Sequence, residues 1–149
     1  MNLRLIDKIF PPSTAYAHCD VPCGIYDPKA AQIAAQTVEV MVNKLNGLPL
    51  PTSLNKDDLL NYSNSTARMI ITKEEHAQKC KEELLILWTD FFKEEHLEMF
   101  PNLHETFWQA AKLCSINKQT VDMKSAKKLE GTVNEIAKIF NKVKAASKK

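Results

Sequence analysis

Glycine is scarce in this chain, with three among 149 residues. So few flexible turn residues, beside long stretches of helix formers, argue for an all-α protein. No uninterrupted apolar run approaches the ~20 residues of a membrane-crossing helix, so no membrane partner is expected. Neither sign of charge dominates: 20 Lys and Arg against 18 Asp and Glu leave +2, which gives no electrostatic footprint for nucleic acid. Four cysteines are few for a disulfide scaffold of this length, and reduced cysteines suit a cytoplasmic setting. Repeats and low-complexity tracts are absent as well. What remains, 44% hydrophobic and 26% charged, describes one soluble domain with enough apolar content for a core.

The helical pattern falls into four segments. Asp27 can cap the first and Pro28 can occupy its first turn. That helix runs to about Asn46, with Ile33, Val38, Met41 and Leu45 on its apolar side and Gly47 stopping it. Pro49, Pro51 and the polar stretch to Ser63 read as a connecting loop. A second helix is predicted from about Ser65 to Phe92, and a third from near Glu94 to Cys114, with Pro101 marking a bend or a fresh first turn. The fourth starts at about Asp122 and carries Leu129, Val133, Ile136, Phe140 and Val143 at helical spacing. Four helices with short connections predict an up-down-up-down four-helix bundle over 27–146.

Chemistry concentrates in His18-Cys19-Asp20-Val21-Pro22-Cys23-Gly24-Ile25-Tyr26-Asp27-Pro28. One imidazole and two thiolates are fewer than the four protein ligands of a closed structural zinc site. If the chain were cut between Ala17 and His18, the new terminal amine and the Cys19 amide nitrogen would add two donors in successive chelate rings. Nitrogen-and-sulfur coordination in a square plane suits nickel(II) or copper(II) better than zinc. Thiolate ligation also deprotonates each cysteine, so binding weakens as pH falls. A Cys-x-x-x-Cys pair alone remains open to other readings: two unrelated thiols, a partial zinc site or a redox disulfide.

This segment resembles the nickel hook of the nickel-dependent superoxide dismutase family. The likeness continues through Leu87-Trp88-Thr89-Asp90-Phe91-Phe92-Lys93 and through His96, Glu98, Phe100, Pro101, Leu103 and His104. The resemblance implies disproportionation of superoxide by Ni(II)/Ni(III) cycling, with one nickel ion per subunit. It implies metal ligation by His18 (amine and imidazole), Cys19 (amide and sulfur) and Cys23 (sulfur) in a hook of residues 18–26. Pro22 fixes the tight return, Gly24 allows close backbone approach, Tyr26 restricts which anions enter, and Asp20 braces the hook. The resemblance also implies a homohexamer, with part of the cluster Trp88, Phe91, Phe92, Phe100, Phe107 and Trp108 packed between subunits. From the residues alone that cluster reads equally as bundle core.

Residues 1–17 end in Ala15-Tyr16-Ala17, an A-x-A pattern, but Arg4, Asp7 and Lys8 interrupt the apolar part, so they are not read as an export signal. By the same resemblance they form a propeptide, removed by a maturation protease cutting between Ala17 and His18 to leave the domain 18–149. The residues also allow a frayed N-terminal arm.

Three positions depart from the family pattern. The glutamate and arginine that steady the hook imidazole there align with Ala34 and His76, and a nearby tyrosine aligns with Phe91. His76 or a group from another subunit is expected to take over that support. His96 and His104, eight residues apart, are expected on one side of a helix in structural or surface roles, and Cys80 and Cys114 as buried thiols. The basic tail Lys138, Lys142, Lys144, Lys148 and Lys149 reads as a solvated face or as a feature that draws in an anion. A nickel or copper carrier with the same hook, and a thiol-disulfide protein using Cys19 and Cys23, are the competing functions.

Overall fold

The computed structural model describes residues 25–146. They form helices α1 (Lys29–Asn46), α2 (Lys56–Ile86), α3 (His96–Met99), α4 (Leu103–Gln119) and α5 (Met123–Ala146). Helix α1 packs on α2 and α5, and α4 packs on the same two neighbours. Short connections between consecutive long helices make this an up-down-up-down bundle, as the sequence predicts. Residues 27, 92, 103 and 146 therefore gather at one end of the bundle, and residues 46, 119 and 123 at the other.

The helix ends have local causes. Asp27 Oδ1 accepts the Lys29 N–H at 2.8 Å, as expected, and Asp122 Oδ2 accepts the Ser125 N–H at 2.8 Å at the start of α5. Helix α2 begins about nine residues before the predicted start. Asn55 caps it by accepting the Asp58 N–H at 2.8 Å, while Asp58 Oδ2 accepts from Thr52 and Ser53. No α2 residue before Lys73 is buried, so this half of the helix lacks the apolar period that would announce it. Pro101 ends α3 and opens the turn into α4, which runs to Gln119 and not to Cys114. His96 and His104 thus stand on separate helices, a correction caused by that proline.

The core face of α1 also differs from the expectation. Ala31, Ala34, Ala35, Val38 and Val42 are buried, whereas Ile33 is 52% exposed and Met41 and Leu45 lie on the flank. Small residues along the seam let α1 sit close to its neighbours, so alanine does the packing that larger side chains were expected to do. The stripe on α5 is as predicted: Leu129, Val133, Ile136, Phe140 and Val143 are all buried.

One surface feature between α1 and α5 titrates. Glu39 and Glu130 share a groove with Gln36, Val40, Asn43, Met123 and Lys127. Glu39 Oε2 is shut from solvent with no donor from any side chain or amide around it. A proton on the pair supplies that donor, so the Glu39 contact, with burial, raises the Glu130 carboxyl above its ordinary 4.5. A raised folded value means the pair stabilises the fold below pH 4.5 and loses that contribution as pH rises through the higher folded value. Glu130→Gln is expected to raise the melting temperature at pH 7 and to flatten its dependence on pH just above 4.5. Calorimetric scans from pH 4 to 8 check this, and an unchanged pH profile contradicts it.

Candidate metal centre

His18, Cys19, Asp20, Cys23 and the cut after Ala17 lie outside the described residues, as do Pro22 and Gly24. The root to which they connect is well defined. Tyr26 is half-buried, with its ring 5.7 Å from that of Phe91. Phe91 is held in turn against Phe140, with ring centroids 4.3 Å apart, and edge-on to Phe92 at 4.9 Å. Beside the root is a cavity of about 230 Å³ lined by Ile25, Tyr26, Asp27, Ala30, Glu83, Ile86 and Leu87.

A local irregularity places Phe91. After Ile86 the helix widens over Leu87–Phe91, so that the Phe92 N–H bonds the Leu87 carbonyl, five residues back, at 3.1 Å. Such widened turns recur at functional sites. Here it brings consecutive Phe91 and Phe92 both into the aromatic packing, which a regular turn would splay apart. Trp88 stacks on Phe107 at 5.8 Å with nearly parallel rings. Trp108 leaves the predicted cluster: it is 51% exposed, with Lys112 over its ring at 5.5 Å.

The remaining described histidines are occupied structurally. His96 is buried, and its Nδ1 accepts the Lys93 N–H at 3.0 Å. His104 Nδ1 accepts the Trp88 indole N–H at 2.7 Å. His76 Nδ1 lies 2.8 Å from the Thr72 carbonyl. A carbonyl only accepts, so His76 Nδ1 carries hydrogen and the neutral ring keeps its lone pair on Nε2. Ala34, the other altered position, is buried against the core and offers no polar group.

Thiolate supply decides where a soft metal can bind. Cys80 and Cys114 are free, fully buried and in mutual contact; that contact and burial push the Cys80 thiol far above its ordinary value. A thiol held protonated is no metal ligand. Among the described residues no group of three His, Cys, Asp or Glu could hold a metal. The hook sequence, outside the described residues, offers two cysteines and a histidine, a soft donor set of the kind that suits square-planar nickel. Lys144, read from the sequence only as part of the basic tail, has its Nζ 3.4 Å from the Tyr26 carbonyl and 5.2 Å from the centre of the Phe140 ring. Its i, i+4 spacing from Phe140 was the available signal.

Comparison with known proteins matches this description. The family model for nickel-containing superoxide dismutase matches residues 13–144. Two curated relatives named superoxide dismutase [Ni], from Streptomyces seoulensis and Streptomyces coelicolor, are 34% and 33% identical over 95% of this chain and 100% of their own length. A crystal structure of a Ni-containing superoxide dismutase, with nickel ligation corresponding to the oxidised state, superposes with a TM-score of 0.73. It is 34% identical, across 86% of this chain and 99% of that one. These relatives are named as dismutases, which leaves the carrier reading without support. With the hook motif ahead of the first helix in sequence and this likeness along nearly all of the chain, the protein belongs to the nickel-containing superoxide dismutase family.

Proposed function

We propose that the chain disproportionates superoxide to dioxygen and hydrogen peroxide at a hook formed by residues 18–26. The observation that carries this reading is the anchored root: Tyr26 packs on Phe91 at the bundle end, directly after the His18-Cys19…Cys23 donor set. Nickel bound there supplies the one-electron couple that superoxide both reduces and reoxidises. His18 contributes amine and imidazole, Cys19 its amide nitrogen and sulfur, and Cys23 its sulfur. Both thiols must lose their protons before they bind. Asp20 braces the segment. The Tyr26 phenol, its ring held against Phe91, would restrict access to the metal to small anions. His76, with its lone pair directed to Nε2 by the Thr72 carbonyl, is suited to accept a hydrogen bond from the His18 ring.

Maturation precedes activity in this account. Removal of residues 1–17 between Ala17 and His18 by a maturation protease frees the amine, and the uncut chain lacks that donor. A homohexamer is supported by apolar side chains that the single chain leaves exposed, among them Ile33 and Val40 on α1 and Leu60 and Ile71 on α2. The free core thiols suit a cytoplasmic setting. No described helix is long and apolar enough to cross a membrane.

Replacing His18 by Gln tests the assignment, because it keeps the amine and removes the imidazole. The processed variant is expected to retain nickel and to lose turnover by roughly 10- to 100-fold or more. Pulse radiolysis with elemental analysis of the same sample reads both. Full turnover in His18→Gln, or a nickel-loaded wild type that consumes no superoxide, contradicts the proposal.

A further inference from the structure

Two nucleophilic groups in the core take no part in the metal chemistry. Cys80 on α2 and Cys114 on α4 are free thiols without exposed surface, and the two side chains hydrogen-bond to each other. The register of the helices sets them together independently. Their sequence neighbours are joined across the same seam, Lys81 Nζ to Ser115 Oγ at 3.3 Å. One turn further along, Lys118 Nζ reaches Gln78 Oε1 at 3.1 Å, so α2 and α4 run antiparallel and in fixed register beside the thiols. Ala77 and Ala110, about one turn from Cys80 and Cys114, are fully buried, and their small side chains let the two backbones approach closely. Close approach of the backbones is what a disulfide requires.

We infer that Cys80 and Cys114 form an oxidation site, closed to a disulfide by the hydrogen peroxide that this chain produces. The source of the peroxide rests on the dismutase reading given above; the chemistry of the pair does not. One sulfur attacks the O–O bond of peroxide, giving a sulfenic acid and water. The second thiol then displaces hydroxide from that sulfur, and its proton leaves with the hydroxide as a second water. Two thiols thus lose two electrons and two protons, and one peroxide becomes two waters. The closed core reacts slowly, because burial and mutual contact keep the thiol protonated. Attack proceeds in local openings of the α2–α4 seam, where the thiol regains its ordinary acidity. On reclosure the second thiol lies against the oxidised sulfur, so it captures the sulfenic acid before another peroxide arrives. A lone cysteine has no such partner and continues to sulfinic acid. The disulfide, once buried, staples α2 to α4 and is out of reach of bulky thiol reductants.

The test begins with the full-length chain carrying Cys19→Ser and Cys23→Ser, in which Cys80 and Cys114 are the only thiols. After treatment with excess hydrogen peroxide its intact mass is expected to fall by two hydrogen atoms. Trypsin without reductant is expected to release a fragment that joins Cys80 to the peptide Leu113–Lys118. The melting temperature is expected to rise by roughly 8 °C. With Cys114→Ala added, Cys80 gains two oxygen atoms instead and no rise follows. In a second arm the processed, nickel-loaded chain receives superoxide, and the same joined fragment is expected to accumulate unless catalase is present. Thiols that stay free in peroxide, or sulfurs that oxidise separately without the joined fragment, overturn the inference. So does peroxide release under superoxide with no fragment formed. A fragment that forms with added peroxide, from a chain whose nickel-loaded form makes no peroxide, leaves the oxidation site standing and sinks the dismutase reading instead.

Discussion

Cys19→Ser and Cys23→Ser are each expected to abolish both nickel retention and superoxide turnover in the processed chain. A serine hydroxyl keeps the geometry nearly unchanged but stays protonated near neutral pH, so it provides neither the negative charge nor the electron donation of a thiolate. Loss of a partner behind a metal ligand typically lowers affinity or activity by 10- to 100-fold. Loss of the ligand itself is expected to exceed that range. The core thiols cannot substitute, because Cys80 and Cys114 are fully buried and Cys80 is held protonated by its neighbour and by burial. The expected result is a folded bundle with unchanged helical circular dichroism, no bound nickel after gel filtration, and no activity above that of free nickel. A serine variant that keeps stoichiometric nickel and turnover removes that sulfur from the centre.

Lys73→Met is expected to have the largest effect on stability. Lys73 is 1% exposed, deep on α2, and its ammonium donates to the carbonyls of Asn117, Lys118 and Thr120. These oxygens close the last turn of α4, where helical carbonyls have no intrahelical partner. Burial lowers the Lys73 pKa from 10.5, and the charge of Glu74 partly opposes that shift. Methionine fills the same channel but leaves the buried Asn117 carbonyl without a donor, while the half-buried Lys118 and exposed Thr120 carbonyls can turn to water. For one orphaned buried acceptor the loss is about 2 kcal/mol. For a domain of this size that corresponds to a melting temperature lower by roughly 6 °C. The nearby bridge from Asn117 Nδ2 to the Leu113 and Ser125 carbonyls ties α4 to α5 and depends on the same turn. Thermal unfolding of the metal-free chain isolates this effect from nickel binding. A melting temperature within 2 °C of wild type contradicts it.

Neither Lys73 nor the widened turn at Phe91 was legible in the sequence. A lysine inside a polar helix looks like any solvated lysine until the α4 carbonyls arrive 44 residues later in the chain. The Leu87–Phe91 turn has no glycine or proline to announce it. The α5 stripe was legible because every large apolar residue in it is buried. The α1 stripe misled because three of its five buried positions are alanines, which a count of large side chains passes over. The start of α2 failed for the complementary reason, that the half-helix before Lys73 buries nothing; the Asn55–Asp58 cap was the signal to use. At the hook root the balance is reversed. The candidate donors His18, Cys19 and Cys23 are a contiguous sequence motif outside the described residues, whereas the packing of Tyr26 depends on Phe91, Phe140 and Lys144, residues 65 to 118 positions away from it.

The account depends on a free amine at His18 completing the thiolate donor set. Intact-mass determination together with elemental analysis of native protein tests this in one sample. The predicted result is a chain beginning at His18 that carries one nickel ion per subunit. Fully active protein that still begins at Met1, or that carries a different transition metal in stoichiometric amount, would contradict it.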